Sequence, residues 1–116
     1  MSIIPTLTII IPCYNEKNTI IKLLDKIEEI KNIDKEIIVV DDKSIDGSTD
    51  LIKNYKFQSK HKKIFHDKNL GKGGAIKSAQ QLVNGKYVII QDADLEYYPE
   101  DYNILLKVIE SSDTNF

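Results

Sequence analysis

The stretch that decides the fold is Lys86-Tyr-Val-Ile-Ile-Gln-Asp-Ala-Asp-Leu-Glu-Tyr-Tyr-Pro99. Its apolar run, residues 87–90, is typical of a strand covered on both faces in a parallel sheet, and it predicts a central strand. Two carboxylates, Asp92 and Asp94, follow at once, separated by one small residue. Ligands of open α/β sheets bind outside the carboxyl ends of the strands, so these acids lie where a ligand would bind.

Asp92 and Asp94 have the spacing to bind one hard cation together. Mg²⁺ takes one or two protein carboxylates and completes its shell with water and substrate phosphates, so the pair predicts a clamp for a diphosphate. The alternative is a pair of solvated turn residues that cap the next helix, since Asp is common in turns. For an isolated Asp-x-Asp the turn interpretation is favoured, because short motifs often occur by chance, so the metal site needs support from the rest of the sequence.

The composition indicates one small globular domain over residues 1–116, with 41% hydrophobic and 29% charged residues. A net charge of -2 gives no overall attraction to nucleic acid or anionic membranes. A single cysteine, Cys13, excludes an internal disulfide, and no pattern for a secretion signal or a membrane span is visible, which fits a cytoplasmic setting. A lysine-rich segment is interpreted mainly as a solvated face that could steer a phosphate ligand. Its lysines are Lys53, Lys56, Lys60, Lys62, Lys63, Lys68, Lys72 and Lys77.

Strand and helix patterns alternate along the chain. Strands are predicted at 7–11, 36–40, 63–66 and 87–90, and helices at 16–31, from about 51 to before 58, from 76 to 83, and after Pro99. Asn15 or Asn18 is expected to cap the first helix. This order predicts an α/β, Rossmann-like parallel sheet of order 3-2-1-4 with helices on both faces. Residues 12–16, 41–42 and 92–94 would then meet at one edge.

A glycine-rich segment, Gly71-Lys-Gly-Gly74, opens the third predicted helix. Glycines let the backbone approach a ligand closely, and the amides at a helix start point towards an anion. The segment follows the third strand and has neither the Gly-x-Gly-x-x-Gly nor the Walker A spacing, so a dinucleotide-binding or P-loop enzyme is disfavoured.

Four ordered motifs together resemble the family 2 glycosyltransferases, and within them the dolichyl-phosphate mannose synthase-like enzymes. They are Ile-Ile-Pro-Cys-Tyr-Asn-Glu at 10–16, Val-Val-Asp-Asp-Lys-Ser-Ile-Asp-Gly-Ser at 39–48, Asn-Leu-Gly-Lys-Gly-Gly-Ala at 69–75 and Gln-Asp-Ala-Asp-Leu-Glu at 91–96. The resemblance covers nearly the whole chain. It implies a GT-A fold whose amino-terminal half binds a nucleotide-diphosphate sugar with Mg²⁺ or Mn²⁺.

The resemblance also implies roles for individual residues. The residues expected at the nucleotide sugar are Pro12, Tyr14, Glu16, Asp42, Lys72, Asp92, Asp94 and Glu96. Of these, Asp42 would hydrogen-bond the base, Asp94 would be the principal metal ligand, and Asp92 would lie towards the ribose and metal-bound water. Glu96 would lie near the diphosphate, and Lys72 is a candidate phosphate contact.

Several residues have competing interpretations. The Tyr14 ring could pack in its loop or contact the base. His61 and His66 are expected on the surface rather than as metal ligands, because no second His or Cys has ligand spacing. Asp46 is expected to cap a helix before it contacts any ligand. Lys43 stands where glycine is frequent in the family, a replacement that is tolerable if its φ is negative and that adds a charge near the nucleotide.

Members of the family continue beyond the last predicted helix into strands that supply the acceptor pocket and, in inverting enzymes, the catalytic base. We therefore expect this chain to be a donor-binding half, with no base assignable in it. The resemblance suggests a polyprenyl phosphate or a glycan as acceptor, and a cytoplasmic location, at the inner face of a membrane if other segments attach it. The exposed sheet edge predicts pairing into a homodimer.

Two other classes of protein stay open at the level of sequence. One is a non-catalytic module that binds a nucleotide or a partner. The other is a receiver-like signalling domain, which also gathers acids around Mg²⁺ but would need its acid pair after the first strand, whereas the pairs here follow the second and the fourth.

Overall fold

The computed structural model describes residues 5–94, which form a four-stranded parallel sheet flanked by three helices. The elements in chain order are β1 (Leu7–Cys13), α1 (Ile20–Glu28), β2 (Lys35–Asp41), α2 (Ser48–Asn54), β3 (Lys60–Phe65), α3 (Gly71–Gln80) and β4 (Tyr87–Ile90). The strand order is β3-β2-β1-β4, which confirms the predicted topology. The predicted last helix and Glu96 lie outside the described residues.

β1 and β2 form the centre of the sheet, and each has an apolar middle that is buried, residues 9–11 in β1 and residues 37–40 in β2. They pair along their whole length, from Leu7 opposite Lys35 to Cys13 opposite Asp41. β4 pairs with β1 only as far as Ile10. Pro12 therefore lies beyond the segment that β4 covers, where its missing N–H costs no bond to that strand.

The helices cover both faces of the sheet, as predicted. On one face, α1 buries Ile20, Leu23, Leu24 and Ile27 against β1 and β2, and Ile52 of α2 joins the same core. Burial of each such side chain contributes about 1.5–3 kcal/mol. On the other face, α3 presents only two small side chains, Ala75 and Ala79, to the apolar residues of β1 and β2.

The first helix begins four residues later than predicted, at Ile20. Asn15 adopts a φ of 54°, and the amide N–H groups of residues 15–17 donate to side chains of the segment that follows β2. These tertiary bonds override the local helical pattern. Neither Asn15 nor Asn18 is the cap, because Thr19 holds that position without a side-chain cap bond.

The third helix also differs from its prediction. α3 begins at Gly71, inside the glycine segment, and ends at Gln80, before the predicted positions Leu82 and Val83. Glycines 71, 73 and 74 are therefore its first turn rather than a loop in front of it.

β4 differs from the predicted central strand, because it is an edge of the sheet that residues 5–94 form. Val88 and Ile90 are 47% and 43% exposed, so the strand is not covered on both faces there. The opposite edge, β3, carries Lys60, Lys62 and Lys63, charges that discourage pairing with another strand. No helix of the described part is long and apolar enough to cross a membrane.

A buried carboxylate, Glu36, joins three strands at the amino-terminal side of the sheet. It is 3% exposed and accepts hydrogen bonds from Thr8 Oγ1 at 2.8 Å, Lys62 Nζ at 2.8 Å, and the backbone and side-chain nitrogens of Asn84 at 3.0 Å. Burial by itself would raise the pKa of Glu36, but these donors outweigh it and hold the pKa at about 2. The sequence pattern of an apolar strand gave no indication of this cluster.

We expect Glu36 to make stability depend on pH. Its pKa lies below the ordinary value of 4.5, so its contribution is complete above pH 4.5 and is lost as the pH falls towards 2. Glu36→Gln should lower the free energy of unfolding at pH 7, by an amount on the order of 3 kcal/mol, and flatten its pH dependence below pH 5. Urea denaturation at several pH values measures both. Glu29→Gln is the control, because it removes the same charge from the exposed C-cap of α1, and it should leave the slope unchanged. An unchanged slope in Glu36→Gln would contradict the assignment.

We expect alanine substitutions at two glycine positions to change the stability of the protein in opposite directions. A Cβ at Gly85 would lie 2.6 Å from the Thr8 backbone nitrogen, so Gly85→Ala must push β1 and the β4 entry apart, at a cost of about 1–3 kcal/mol. Gly73 lies in α3 with open space around its Cβ position, and Gly73→Ala should stabilise by up to about 1 kcal/mol. Thermal unfolding of the two variants provides the comparison. Equal melting temperatures would show that the close approach at Gly85 is absent.

Candidate functional site

The carboxyl edge of the sheet holds a cavity of about 280 Å³. Its lining comes from the ends of β1, β2 and β4 and from the start of α3, and consists of Pro12, Cys13, Tyr14, Glu16, Asp42, Lys72, Ala75, Asp92, Ala93 and Asp94. Seven of the eight residues predicted from the sequence therefore lie around one cavity. The eighth, Glu96, is outside the described residues.

The segments after β1 and β2 are joined by hydrogen bonds. Asn15 N–H donates to Ser44 Oγ at 2.9 Å, Glu16 N–H donates to Ser48 Oγ at 3.0 Å, and Ile45 N–H donates to Asn15 Oδ1 at 2.8 Å. These bonds fix the backbone that carries Tyr14 and Glu16 at the cavity.

Asp46 completes this link. Its Oδ1 accepts from Ser48 N–H at 2.9 Å, at the start of α2, and its Oδ2 accepts from Lys17 N–H at 3.1 Å. The N-cap of α2 is Gly47, so Asp46 contacts the helix start from the residue before the cap and is not the predicted cap itself. Asp46 does not line the cavity. Nearby, Lys43 has a φ of 65°, so the condition of a negative φ is not met, and lysine here adopts the backbone conformation that favours glycine.

Asp42 joins the end of β2 to the start of α3. It is 3% exposed, and its carboxylate accepts from Leu70 N–H at 2.9 Å, from Gly71 N–H at 2.8 Å and from the His66 ring at 2.7 Å. Burial alone would raise its pKa, but the His66 ring and the two amides outweigh that effect, so the pKa of Asp42 lies below its ordinary value. The group is a carboxylate at neutral pH.

His66 is part of the support of the site and not a surface residue. Its ring is 8% exposed, with Nδ1 against Asp42 and Nε2 at 2.8 Å from Ser78 Oγ of α3. The prediction of a surface histidine is wrong for His66 and confirmed for His61, which is exposed. The parallel register could have revealed the contact, because Phe65 pairs with Asp41 and the next residues of the two strands are then neighbours.

Asp92 makes an ion pair across the cavity. Its Oδ1 lies 2.6 Å from Lys72 Nζ, which reaches over from the first turn of α3. The two side chains are 27% and 57% exposed, so the pair faces solvent in part. Between Asp92 and Asp94, the carbonyl of Ala93 accepts a hydrogen bond from Thr19 Oγ1, which anchors the acidic turn to the start of α1. No sequence pattern had singled out Thr19.

Most of the other lysines fit the predicted solvated face, because Lys53, Lys56, Lys60, Lys68 and Lys77 are exposed. Lys62 and Lys63 are half-buried. Lys63 donates to the carbonyls of Lys53 and Tyr55.

The cavity lining carries four carboxylates, Glu16, Asp42, Asp92 and Asp94, against one lysine. Such a lining repels a diphosphate unless a cation enters with it. Residues 5–94 contain no group of three His, Cys, Asp or Glu side chains that would hold a metal unaided. Two carboxylates suit a hard cation such as Mg²⁺ or Mn²⁺, which takes its other ligands from phosphate and water.

Two further side chains lie at this edge of the sheet: Cys13, which is chemically inert, and Asp41, which accepts a hydrogen bond. Cys13 is 1% exposed, and burial followed by the charge of Asp41 raises the pKa of its thiol to about 12, so it stays a neutral thiol. Asp41 accepts from Thr49 Oγ1 at 2.6 Å, and its Oδ1 has no hydrogen-bond partner within residues 5–94. Tyr14 is 46% exposed and lines the cavity.

Comparison with known proteins agrees with this geometry. The model of the family described as Glycosyl transferase family 2 matches residues 8–116. A dolichyl-phosphate beta-glucosyltransferase of Trichomonas vaginalis is 32% identical over 116 residues, which cover 90% of this chain and 35% of that relative. The chain spans about a third to a half of the curated relatives it matches, with 31%, 35% and 47% for three of them.

Solved structures show the same fold. The mannosyltransferase PcManGT of Pyrobaculum calidifontis, solved with GDP-Man and Mn²⁺, superimposes with a TM-score of 0.71 at 29% identity, over 80% of this chain and 28% of that one. TarS of S. aureus gives a TM-score of 0.79 at 24% identity, over 91% of this chain and 31% of that one. The chain belongs to the family 2 glycosyltransferases and has their GT-A fold.

Proposed function

We propose that the cavity binds a nucleotide-diphosphate sugar together with Mg²⁺ or Mn²⁺, and that this chain supplies the donor site of a glycosyltransferase. The observation that carries the proposal is the meeting of Pro12, Tyr14, Glu16, Asp42, Lys72, Asp92 and Asp94 around one cavity, although they come from four separate segments of the chain. Membership of the family also makes the receiver-like alternative wrong.

The acidic turn after β4 would hold the cation. Asp94 and Asp92 offer carboxylate oxygens on the cavity, with Asp94 proposed as the principal ligand and Asp92 towards the ribose and metal-bound water. When bound, the cation would neutralise charge that develops on the departing nucleotide. PcManGT, a structural relative at 29% identity, was solved with a nucleotide sugar and Mn²⁺, which supports a divalent cation here.

The nucleoside would lie between Tyr14 and Asp42. A carboxylate can accept about four hydrogen bonds. Asp42 accepts three of them from residues 5–94, two at Oδ1 and one at Oδ2. One acceptor position on Oδ2 therefore stays available for an N–H of the base. The exposed ring of Tyr14 offers a flat apolar surface for stacking at the same cavity.

The acceptor side of the reaction involves residues beyond those described. A polyprenyl phosphate is the acceptor class we favour over a glycan, because a relative at 32% identity is a dolichyl-phosphate glucosyltransferase. The catalytic base is assigned to parts of the longer family members that this chain does not match, and Glu96 stays a prediction near the diphosphate. The homodimer and the cytoplasmic location likewise stay predictions.

Calorimetric titration of the purified chain with UDP, GDP and their sugars, with and without Mn²⁺, tests the donor site. We expect Mn²⁺-dependent binding of one nucleotide, and Asp94→Asn should weaken it at least tenfold because a metal ligand is lost. Asp50→Asn removes the same charge from an exposed position of α2 outside the cavity and should bind as wild type. Binding that Asp94→Asn leaves unchanged would favour a module that holds nucleotides without the cation.

A further inference from the structure

We propose that Lys72 competes with the divalent cation for Asp92, so that the cation binds tightly only together with the nucleotide diphosphate. The inference rests on the proposed donor site and adds that metal and nucleotide bind to it together. It follows from the ion pair that the structure shows between α3 and the turn after β4.

The position of Lys72 is determined by the backbone in front of it. Asp42 accepts from the N–H groups of Leu70 and Gly71, and Lys72 is the next residue in the first turn of α3. The lysine Cα is thus held beside the cavity while the flexible stem carries Nζ to 2.6 Å from Asp92 Oδ1. One of the two carboxylates proposed to hold the cation, Asp92, is therefore already paired with a positive charge.

A cation that approaches Asp92 alone meets two obstacles. It must break the ion pair, and it must tolerate a second positive charge at close range, a repulsion that is substantial in a partly enclosed site. Lys72 then loses its ion pair with Asp92. Lys72 is the one lysine among the described lining residues, so no neighbouring lysine there adds to this effect.

A cation that arrives with a diphosphate meets neither obstacle in full. The phosphate oxygens give Lys72 Nζ a new anionic partner, so the ammonium group can leave Asp92 without becoming unpaired. Because the pair is partly exposed, it is weak enough to exchange. Metal and nucleotide then raise each other's affinity by the same factor, as thermodynamic linkage requires.

The test is the affinity of Lys72→Met for Mn²⁺ alone, measured by electron paramagnetic resonance of the free ion and by calorimetry. We expect this variant to bind Mn²⁺ about five- to tenfold more tightly than wild type, and to bind the nucleotide in saturating Mn²⁺ about fivefold or more weakly. Opposite signs on the two affinities are the signature of competition, since damage to the site would weaken both. Lys72→Gln, a second neutral variant, should behave alike.

Lys77→Met is the matched control, because it removes the same charge from an exposed position of the same helix outside the cavity. It should change neither affinity by more than twofold. If the Lys72 variants bind Mn²⁺ alone no more tightly than wild type, or not at all at millimolar concentration, the inference is overturned. Absence of nucleotide binding by wild type would instead overturn the proposed donor site, while the titration with Mn²⁺ alone would still decide the role of Lys72.

Discussion

The carboxylate of Asp42 is the interaction on which the site depends. A buried charge is tolerated only when donors surround it, and here the donors are two amides at the start of α3 and the ring of His66. The carboxylate thus sets the distance between the sheet and the first turn of α3. Lys72 reaches Asp92 because of that spacing, so a residue first assigned to base recognition also positions the rest of the cavity.

Each end of the sheet has a buried carboxylate that is stabilised by several hydrogen-bond donors. At the amino-terminal side, Glu36 collects Thr8, Lys62 and Asn84 and thereby joins strands and a loop that are distant in sequence. At the carboxyl side, Asp42 links β2 to α3. Both acids have lowered pKa values because several donors converge on them. One cluster holds the fold together, whereas the other shapes the cavity.

The sequence was sufficient to predict the strand order, the two-sided helix arrangement and the seven described residues of the cavity. The strand order and the helix arrangement depend on apolar periodicity and on the rule that parallel strands end at one edge. The seven site residues, in contrast, were expected because their motifs resemble those of the family 2 glycosyltransferases. The start of α1, the buried ring of His66 and the positive φ of Lys43 were not predicted. The start of α1 and the position of His66 depend on hydrogen bonds between residues 32 and 24 positions apart in the chain. The φ of Lys43 depends on the backbone of a turn. Apolar periodicity encodes none of these.

The thin packing of α3 has a dynamic consequence. α1 buries four large aliphatic side chains, whereas α3 buries two alanines and opens with three glycines. Less apolar contact means a lower free energy of local opening, so the amide hydrogens of α3 should exchange with solvent well before those of α1. The helix that carries Lys72 to the cavity is therefore more easily loosened than α1, and a bound anion at its first turn would slow that exchange.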